Sequence, residues 1–416
     1  MKVLRTEQIH IEGPDTISYM CHLSKNLFNQ VNYILRGQFF KHERMISYKD
    51  LAKQFSRPSE IDENNNFQKL PAQTAQWTIK NVKQSWNSFF KSMKSWKKHP
   101  ELFKGMPKPP KYKNKDGEFI LVFTNQQCSI TEGILRFPKM MNLEVKTRLK
   151  DADLREVRII PIGLGYSIEI VYAKEITDAS EIKARRILGI DIGVRNIVTI
   201  GNNISVKGIA VKAGLLKSIN QYFNKELAIY RSINDLQGNH EKNTNRITRL
   251  FINRNRKVKD IMHKLSKAVI TYAKSINVDT IVIGHNKDWK QSVNMGTKNN
   301  QNFVQLPFNT LIQQIKYKGE EIGINVIIQR EDHTSKCSFL DNETIEHHDT
   351  YMGNRIKRGT FRSADGTLIH ADLNASYNII KKAIPEAFAN GIEGIGLYPR
   401  SLSIRQMITW LTEIIT

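Results

Sequence analysis

The chain has 416 residues and sets 63 Lys and Arg against 40 Asp and Glu, a formal net charge of +23. It is 40% apolar and 25% charged, which excludes a disordered chain, and no apolar run approaches the ~18–20 residues of a membrane helix. Three scattered cysteines (Cys21, Cys128, Cys337) exclude a disulfide framework and a four-cysteine zinc site, and the opening MKVLRTEQIHIEGPD lacks a signal-peptide core. A reducing, cytoplasmic setting (a prokaryotic cytosol or nucleoid) is expected, with two or three domains. The positive surplus points to a polyanion, above all nucleic acid.

In chain order, residues 2–11 read as a strand. Residues 19–40 have helical spacing, with Leu23, Leu27, Val31, Ile34 and Leu35 on one side. Residues 47–55 and 71–98 predict further helices, and Pro107, Pro109 and Pro110 then break the pattern. From 118 to 174 the segments EFILVFT, QCSITEGILRF, LEVKT, VRIIPIG and YSIEIVYAK predict a small β-barrel that the first strand can join. After Arg186 come three strands (ILGIDIG, NIVTIGN, SVKGIAVKAG) and helices near 215–236 and 242–276. Strand DTIVIGHN, helix 303–322 and strand INVIIQRE follow. Residues 333–366 read as a polar, loop-like insertion, and HADLNASYNIIKKA as a final helix. That order suits an RNase H-like fold. A Rossmann domain would need a G-x-G-x-x-G turn after its first strand, which is missing. In the tail, the spacing of Ile404, Met407, Ile408 and Leu411 predicts a helix docked on the core.

The charge is clustered. Residues 80–115 hold eleven lysines against Glu101 alone, among them Lys80, Lys83, Lys91, Lys94, Lys97, Lys98 and Lys111. Interleaved aromatics offer stacking surfaces, although the spacing of Trp86, Phe89, Phe90 and Met93 is that of a buried helix stripe. Residues 242–267 hold nine cations against Asp260, including Lys242, Arg246, Arg249, Arg254, Arg256 and Lys257. These lysines and arginines are the candidate nucleic-acid contacts.

The acids supply candidate chemistry. Two-metal phosphodiester hydrolysis needs carboxylates delivered to one point from separate elements, and Mg²⁺ favours oxygen ligands. Asp191 ends the apolar run ILGI, where an unpaired charge is costly. Asp372 opens the final helix, where an N-terminal acid is also favoured by the helix dipole. The fourth strand of such a fold usually ends in a Glu, but here Gly284 and His285 stand there. His285 is a weaker metal-ligand candidate. Glu331, at the end of the neighbouring fifth strand, can reach across the ~4.8 Å between strands. Asp332 alternates to the other face and is second choice.

On these residues the chain resembles the TnpB family of transposon-encoded RNA-guided nucleases, which are related to type V CRISPR effectors. The segments LSKNLFNQVNYILR, LPAQTAQWTIKNVKQSWNSFF, GIDIGVRNIVTI, NKDWKQSVNMGTKNNQNFVQLPF, DHTSKCSFLDNE and RGTFRSADGTLIHADLNASYNI carry the likeness. The resemblance implies an α+β multidomain chain: a wedge-like β-barrel (1–15 and 113–182) with a helical recognition insert (16–112). A RuvC nuclease domain (183–332 and 367–385) would follow, with a target-binding insert (333–366) and a tail (386–416). It implies a guide RNA from the transposon end and cleavage of double-stranded DNA beside a short transposon-associated motif. Asp191 and Asp372 fall on the first and last RuvC acids.

There are two departures from the family pattern. Gly284 holds the usual glutamate position, and of the four zinc-knuckle cysteines only Cys337 remains. His347, His348 and Cys337 are too irregularly spaced for a zinc site, so no zinc is expected. A subgroup of the family shares both departures, with an acid before the TSK motif. Asp191, Glu331 and Asp372 are therefore the expected catalytic and metal-binding set, for Mg²⁺ or Mn²⁺. One competing reading is a nuclease-inactive RNA-guided DNA-binding repressor, motivated by Gly284. Another is a strand transferase, which nothing in the acid spacing supports.

Overall fold

The computed structural model describes residues 1–57, 65–178, 183–238, 243–286, 305–389, 391, 394 and 396–415. Most of the segment NKDWKQSVNMGTKNNQNFVQLPF, and Lys242 of the second basic cluster, lie outside them. The chain divides into two compact units, Lys2–Glu175 and Ile176–Thr416 with Met1.

The first unit runs β1 (Lys2–Ile11), α1 (Asp15–Phe40), α2 (Tyr48–Ser56), α3 (Ala72–Lys98), β2 (Leu121–Thr124), β3 (Ser129–Thr131), β4 (Ile134–Arg136), β5 (Glu144–Lys146), β6 (Asp153–Ile162) and β7 (Gly165–Glu175). β1 pairs antiparallel with β7 along its whole length, and the sheet order is β1-β7-β6-β2. β3, β4 and β5 form a separate three-stranded meander. Hydrogen bonding thus links these strands as two sheets. One apolar cluster joins Leu27, Val31 and Leu35 of α1, Ile79, Val82 and Trp86 of α3, and Phe123, Ile159 and Ile168 of the sheet. Each of these side chains is fully buried, a gain of roughly 1.5–3 kcal/mol for each of the large ones. Trp86 also donates its indole N–H to Asn32 Oδ1 at 2.9 Å, so its one polar atom is satisfied.

The second unit runs β8 (Ile187–Asp191), β9 (Asn196–Asn202), β10 (Ile209–Lys212), α4 (Gly214–Leu236), α5 (Asn245–Ser275), β11 (Thr280–Gly284), α6 (Phe308–Glu320), β12 (Asn325–Gln329), β13 (Asn354–Lys357), β14 (Thr360–Arg362), β15 (Leu368–His370), α7 (Ala371–Ala383), β16 (Arg400–Ser403) and α8 (Ile404–Ile415). Its main sheet has the order β12-β11-β8-β9-β10-β16. β8, β9 and β10 are antiparallel, while β11 and β12 run parallel to β8. The stretch 333–366, expected as loop, contains β13 and β14, which with β15 make a small antiparallel sheet. The tail contributes a strand as well as the expected helix: β16 adds parallel to β10, and Ile404 and Met407 of α8 are fully buried.

Strand parity fixes the two faces of this sheet. Leu188, Ile190, Ile281, Ile283 and Val326 join α5, α6 and α8 in the larger core. Ile187, Val282 and Ile327 point the other way, against Ile379 and Ile380 of α7. A side-chain period of two then sets Asp191 and Gly284 on the α7 face. α7 lies very close to the sheet because Gly189 and Gly201, directly paired across β8 and β9, leave room for it. A Cβ on Gly189 would stand 2.2 Å from the Ser376 carbonyl oxygen, and one on Gly201 would stand 2.4 Å from Ser376 Oγ. This seat brings the first turn of α7, and Asp372, to the end of β8.

Candidate active site

Three elements converge where β8 ends. Asp191 is the last residue of β8. Asp372 lies in the first turn of α7, following the extended N-cap residue His370. Glu331 follows β12, on a turn closed by Thr334, which donates both its N–H (3.2 Å) and its hydroxyl (2.8 Å) to the Glu331 carbonyl. His333 in this turn is left-handed, with φ of 67°. Asn378 and Lys382 of α7 hold the same turn, donating to the Thr334 and Asp332 carbonyls at 2.9 and 2.8 Å.

Glu331 occupies the space beside Gly284. Its Oε2 lies 2.9 Å from where a Cβ on Gly284 would stand. Ile379 Cδ1 lies 2.4 Å from that same point, so a side chain at 284 would meet α7 at once. Gly284 is in register with Gln329 of β12, and its neighbour Ile283 with Ile190, the residue before Asp191. Glu331 therefore sits one strand further out, with its carboxylate turned back toward β11. Asp332 is engaged with Arg330 at 3.0 Å.

Asp191 feels both of the other acids. Burial raises the Asp191 carboxyl well above the ordinary range, the charges of Asp372 and Glu331 raise it further, and Arg355 alone opposes them. Burial, aided by the Asp332 charge, pushes Glu331 up to about 7. Asp372 is tied on both oxygens: Asn196 donates to Oδ2 at 2.9 Å and Arg355 approaches Oδ1 at 3.4 Å. A concavity of about 250 Å³ opens over Asp191 and Asp372, lined also by Arg195, Asn196, Arg355, Arg358 and His370. Among the described residues no three His, Cys, Asp or Glu side chains are grouped so as to hold a metal ion, and Asp191, Glu331 and Asp372 are no exception. The donor set nevertheless suits a hard cation, since Mg²⁺ keeps several waters and needs only one or two protein carboxylates.

Asn196 and Arg355 were not among the residues singled out in the sequence. Asn196 had a faint signal, as a polar residue opening the apolar run NIVTIGN, and it is 7% exposed. Arg355 had none, because only the β13–β14 hairpin delivers it. His285, at the end of β11, donates its backbone N–H to the Gln329 carbonyl. The cysteines are all free and buried. His348 is hydrogen-bonded to Thr344, and His347 stacks edge-on against His333 at 5.9 Å.

The basic residues divide. On α3, Lys80, Lys91, Lys94, Lys97 and Lys98 are exposed and share about a third of the helix circumference, away from the buried face. Lys83 shares that arc but is half-buried and donates to the Ile46 carbonyl at 2.7 Å. Trp86 and Phe89 lie in the core, so they are not available to stack on bases. Lys111 is exposed on a strap held to α1 by Asn29, Asn32 and Arg36 through the carbonyls of Pro110 and Lys113. On α5, Arg246, Arg249, Arg256 and Lys257 line one exposed face. Arg254 falls on the apolar side, and it donates to Asn220, Asn255 and the Gln305 carbonyl.

Comparison with known proteins places the chain. A family model, OrfB_IS605, described as a probable transposase, matches residues 170–290. A second, Cas12f1-like TNB domain, matches 308–379. The TnpB-like protein ORF457 of Acidianus two-tailed virus is 25% identical over 407 residues, covering 88% of this chain and 82% of its own. Solved structures are more distantly similar. A chain of the Cas12f1-sgRNA-target DNA complex is 14% identical with a TM-score of 0.36, covering 91% of this chain and 98% of its own. The mini-RNA-guided endonuclease CRISPR-Cas_phi3 is 12% identical with a TM-score of 0.44, covering 92% of each chain. Two family models in tandem and a curated TnpB-like relative aligned across both point the same way: the chain is similar to TnpB-type proteins along most of its length.

Proposed function

We propose that this protein is an RNA-guided, Mg²⁺-dependent DNA endonuclease of a transposon. It takes a guide RNA derived from the transposon end and cleaves double-stranded DNA beside a short transposon-associated motif. Base pairing supplies the sequence choice, while the protein reads the flanking motif and holds the heteroduplex by its backbone. Asp191, Glu331 and Asp372 are the catalytic acids.

The observation that carries the reading is the position of Glu331. Its carboxylate fills the space beside Gly284 and its charge bears on Asp191. An acid from the neighbouring strand thus stands beside the glycine at 284, which supports the nuclease reading over the repressor. A Glu331 carboxyl pushed up to about 7 and an Asp191 carboxyl raised by burial and then by its acidic neighbours are both reluctant to ionise, a deficit that a divalent cation relieves.

Such a cation, when bound, supplies charge neutralisation for the phosphate undergoing attack and for the leaving oxygen. The chain's own residues do the rest. Asn196 and Arg355 fix the Asp372 carboxylate from two sides. The Thr334, Asn378 and Lys382 contacts fix the turn that carries Glu331. Gly189 and Gly201 hold α7, and with it Asp372, against the sheet.

The test is a plasmid-cleavage assay on protein purified with its co-expressed RNA. A matched target bearing the flanking motif should be linearised when Mg²⁺ is present and not in EDTA, and a mismatched target should stay intact. A matched target that is bound but never cut would overturn the nuclease assignment in favour of the repressor.

A further inference from the structure

Beside the acids stands a group of cations with no anionic partner. Arg195 lies in the turn between β8 and β9, Lys217 near the start of α4, and Arg358 in the turn between β13 and β14. Arg195 and Arg358 line the same concavity as Asp191 and Asp372. Ala213, the residue before α4, donates its N–H to the Arg195 carbonyl at 2.9 Å, and the Lys217 N–H bonds the Ala213 carbonyl at 3.1 Å, so the first turn of α4 and Lys217 are tied to the Arg195 turn. Lys217 is half-buried, and its ammonium is disfavoured first by burial and then by the charges of Arg358 and Arg195. Three separate segments thus bring like charges together, and among the described residues none of the three side chains makes a hydrogen bond or ion pair. Arg355 differs, because it is already engaged with Asp372.

Like charges so assembled are unfavourable unless an anion completes them, and burying a lysine adds to the cost. The acids Asp191 and Asp372 do not serve as that anion, since their negative charge is the complement of a metal. The missing partner must be an anion that lies next to the acids, which describes the backbone of the strand undergoing hydrolysis. The β13–β14 hairpin that delivers Arg358 belongs to the insertion after β12, so this anion would touch both the sheet and the insertion.

We propose that Arg195, Lys217 and Arg358 form a phosphate clamp that holds a single nucleic-acid strand across the acidic site, at phosphates flanking the one that is cut. The inference rests on the nuclease reading for the role of the acids, but the clamp itself is a binding site and is measured as one. It is separate from the lysine face of α3 and the arginine face of α5.

The probe is a short fluorescent single-stranded DNA unmatched to the guide, bound to the RNA–protein complex in EDTA and followed by anisotropy over a salt series. The triple variant Arg195→Ala/Lys217→Ala/Arg358→Ala should bind it at least tenfold more weakly near 0.1 M salt. The slope of log affinity against log salt should fall by about 0.7 for each lost phosphate contact. Arg195→Lys should keep most of the slope. In Mg²⁺, the triple variant should raise KM for strand cleavage, while the Mg²⁺ concentration for half-maximal cutting stays equal or falls, because cations beside the metal have been removed. A damaged fold would raise that Mg²⁺ requirement. An unchanged salt slope in the triple variant would overturn the clamp whether or not the wild type cuts DNA. A wild type that binds the strand through these residues but cuts nothing would leave the clamp standing and remove the nuclease reading.

Discussion

Glu331 carries the heaviest assignment of any single side chain. Burial, aided by the Asp332 charge, pushes its carboxyl up to about 7 in the folded protein, against 4.5 for an ordinary glutamate. The fold therefore holds this proton more tightly than the unfolded chain does, and metal-free stability from this group falls as pH rises from about 4.5 to about 7. Glu331→Gln should be close to wild type in stability near pH 4.5 and up to about 3 kcal/mol more stable above pH 7, at ~1.4 kcal/mol per pH unit. Denaturant melts in EDTA across that range check this, and a pH-independent difference contradicts it. Mg²⁺ should narrow the gap above pH 7 by stabilising only the wild type. Relocation has a steric side as well. Gly284→Glu introduced into Glu331→Ala should restore cutting only in part in the plasmid assay, because Ile379, whose Cδ1 and Cγ1 would stand 2.4 and 3.1 Å from the new Cβ, must first move aside. That Asp191 ends one strand, that Asp372 opens the final helix and that Glu331 follows the neighbouring strand was legible in the sequence, because apolar runs and helix periodicity mark where elements end. The grip of Asn196 and Arg355 on Asp372 was not, because it depends on a hairpin that the polar stretch 333–366 conceals.

At the scale of elements, α7 is the piece on which the site depends. It presses Ser376 into the seat made by Gly189 and Gly201. Gly189→Ala should cost about 1–3 kcal/mol, as overpacking does, and should weaken cutting through displacement of Asp372; thermal melts and cleavage rates report the two effects. Other elements show why reading by periodicity stops where it does. The helices α1, α3 and α5 were legible because their apolar stripes recur every three to four residues. β16 was missed because its sequence, RSLS, has only Leu402 buried, and its place is given by parallel pairing with β10. The two basic helices make a similar point. Arg254 follows the periodicity of the buried side of α5, so its engagement by Asn220 and Gln305 could have been read from spacing. Lys83 lies on the exposed arc, and only its contact with the Ile46 carbonyl distinguishes it. Lys83→Ala and Arg254→Ala should therefore lower stability by about 1–3 kcal/mol. Joint replacement of Lys91, Lys94, Lys97 and Lys98 should leave the melting temperature nearly unchanged and reduce the salt slope of RNA binding.

For the whole molecule, a net charge of +23 resolves into distinct surfaces. One is the lysine face of α3 with its neighbouring strap, and another is the arginine face of α5. The third is the group at the acidic cleft, which no run of sequence announces because its members come from three segments. No described helix is long and apolar enough to cross a membrane. The account stands or falls on whether a glutamate one strand away from the usual place completes a working acid set. The direct measurement compares wild type with Glu331→Gln, each purified with its RNA, on a matched target in Mg²⁺, scoring binding and cutting in the same samples. The wild type should bind and cut, whereas Glu331→Gln should bind equally and cut at least about a hundredfold more slowly. Equal cutting by both proteins, or binding without cutting by the wild type, would contradict it.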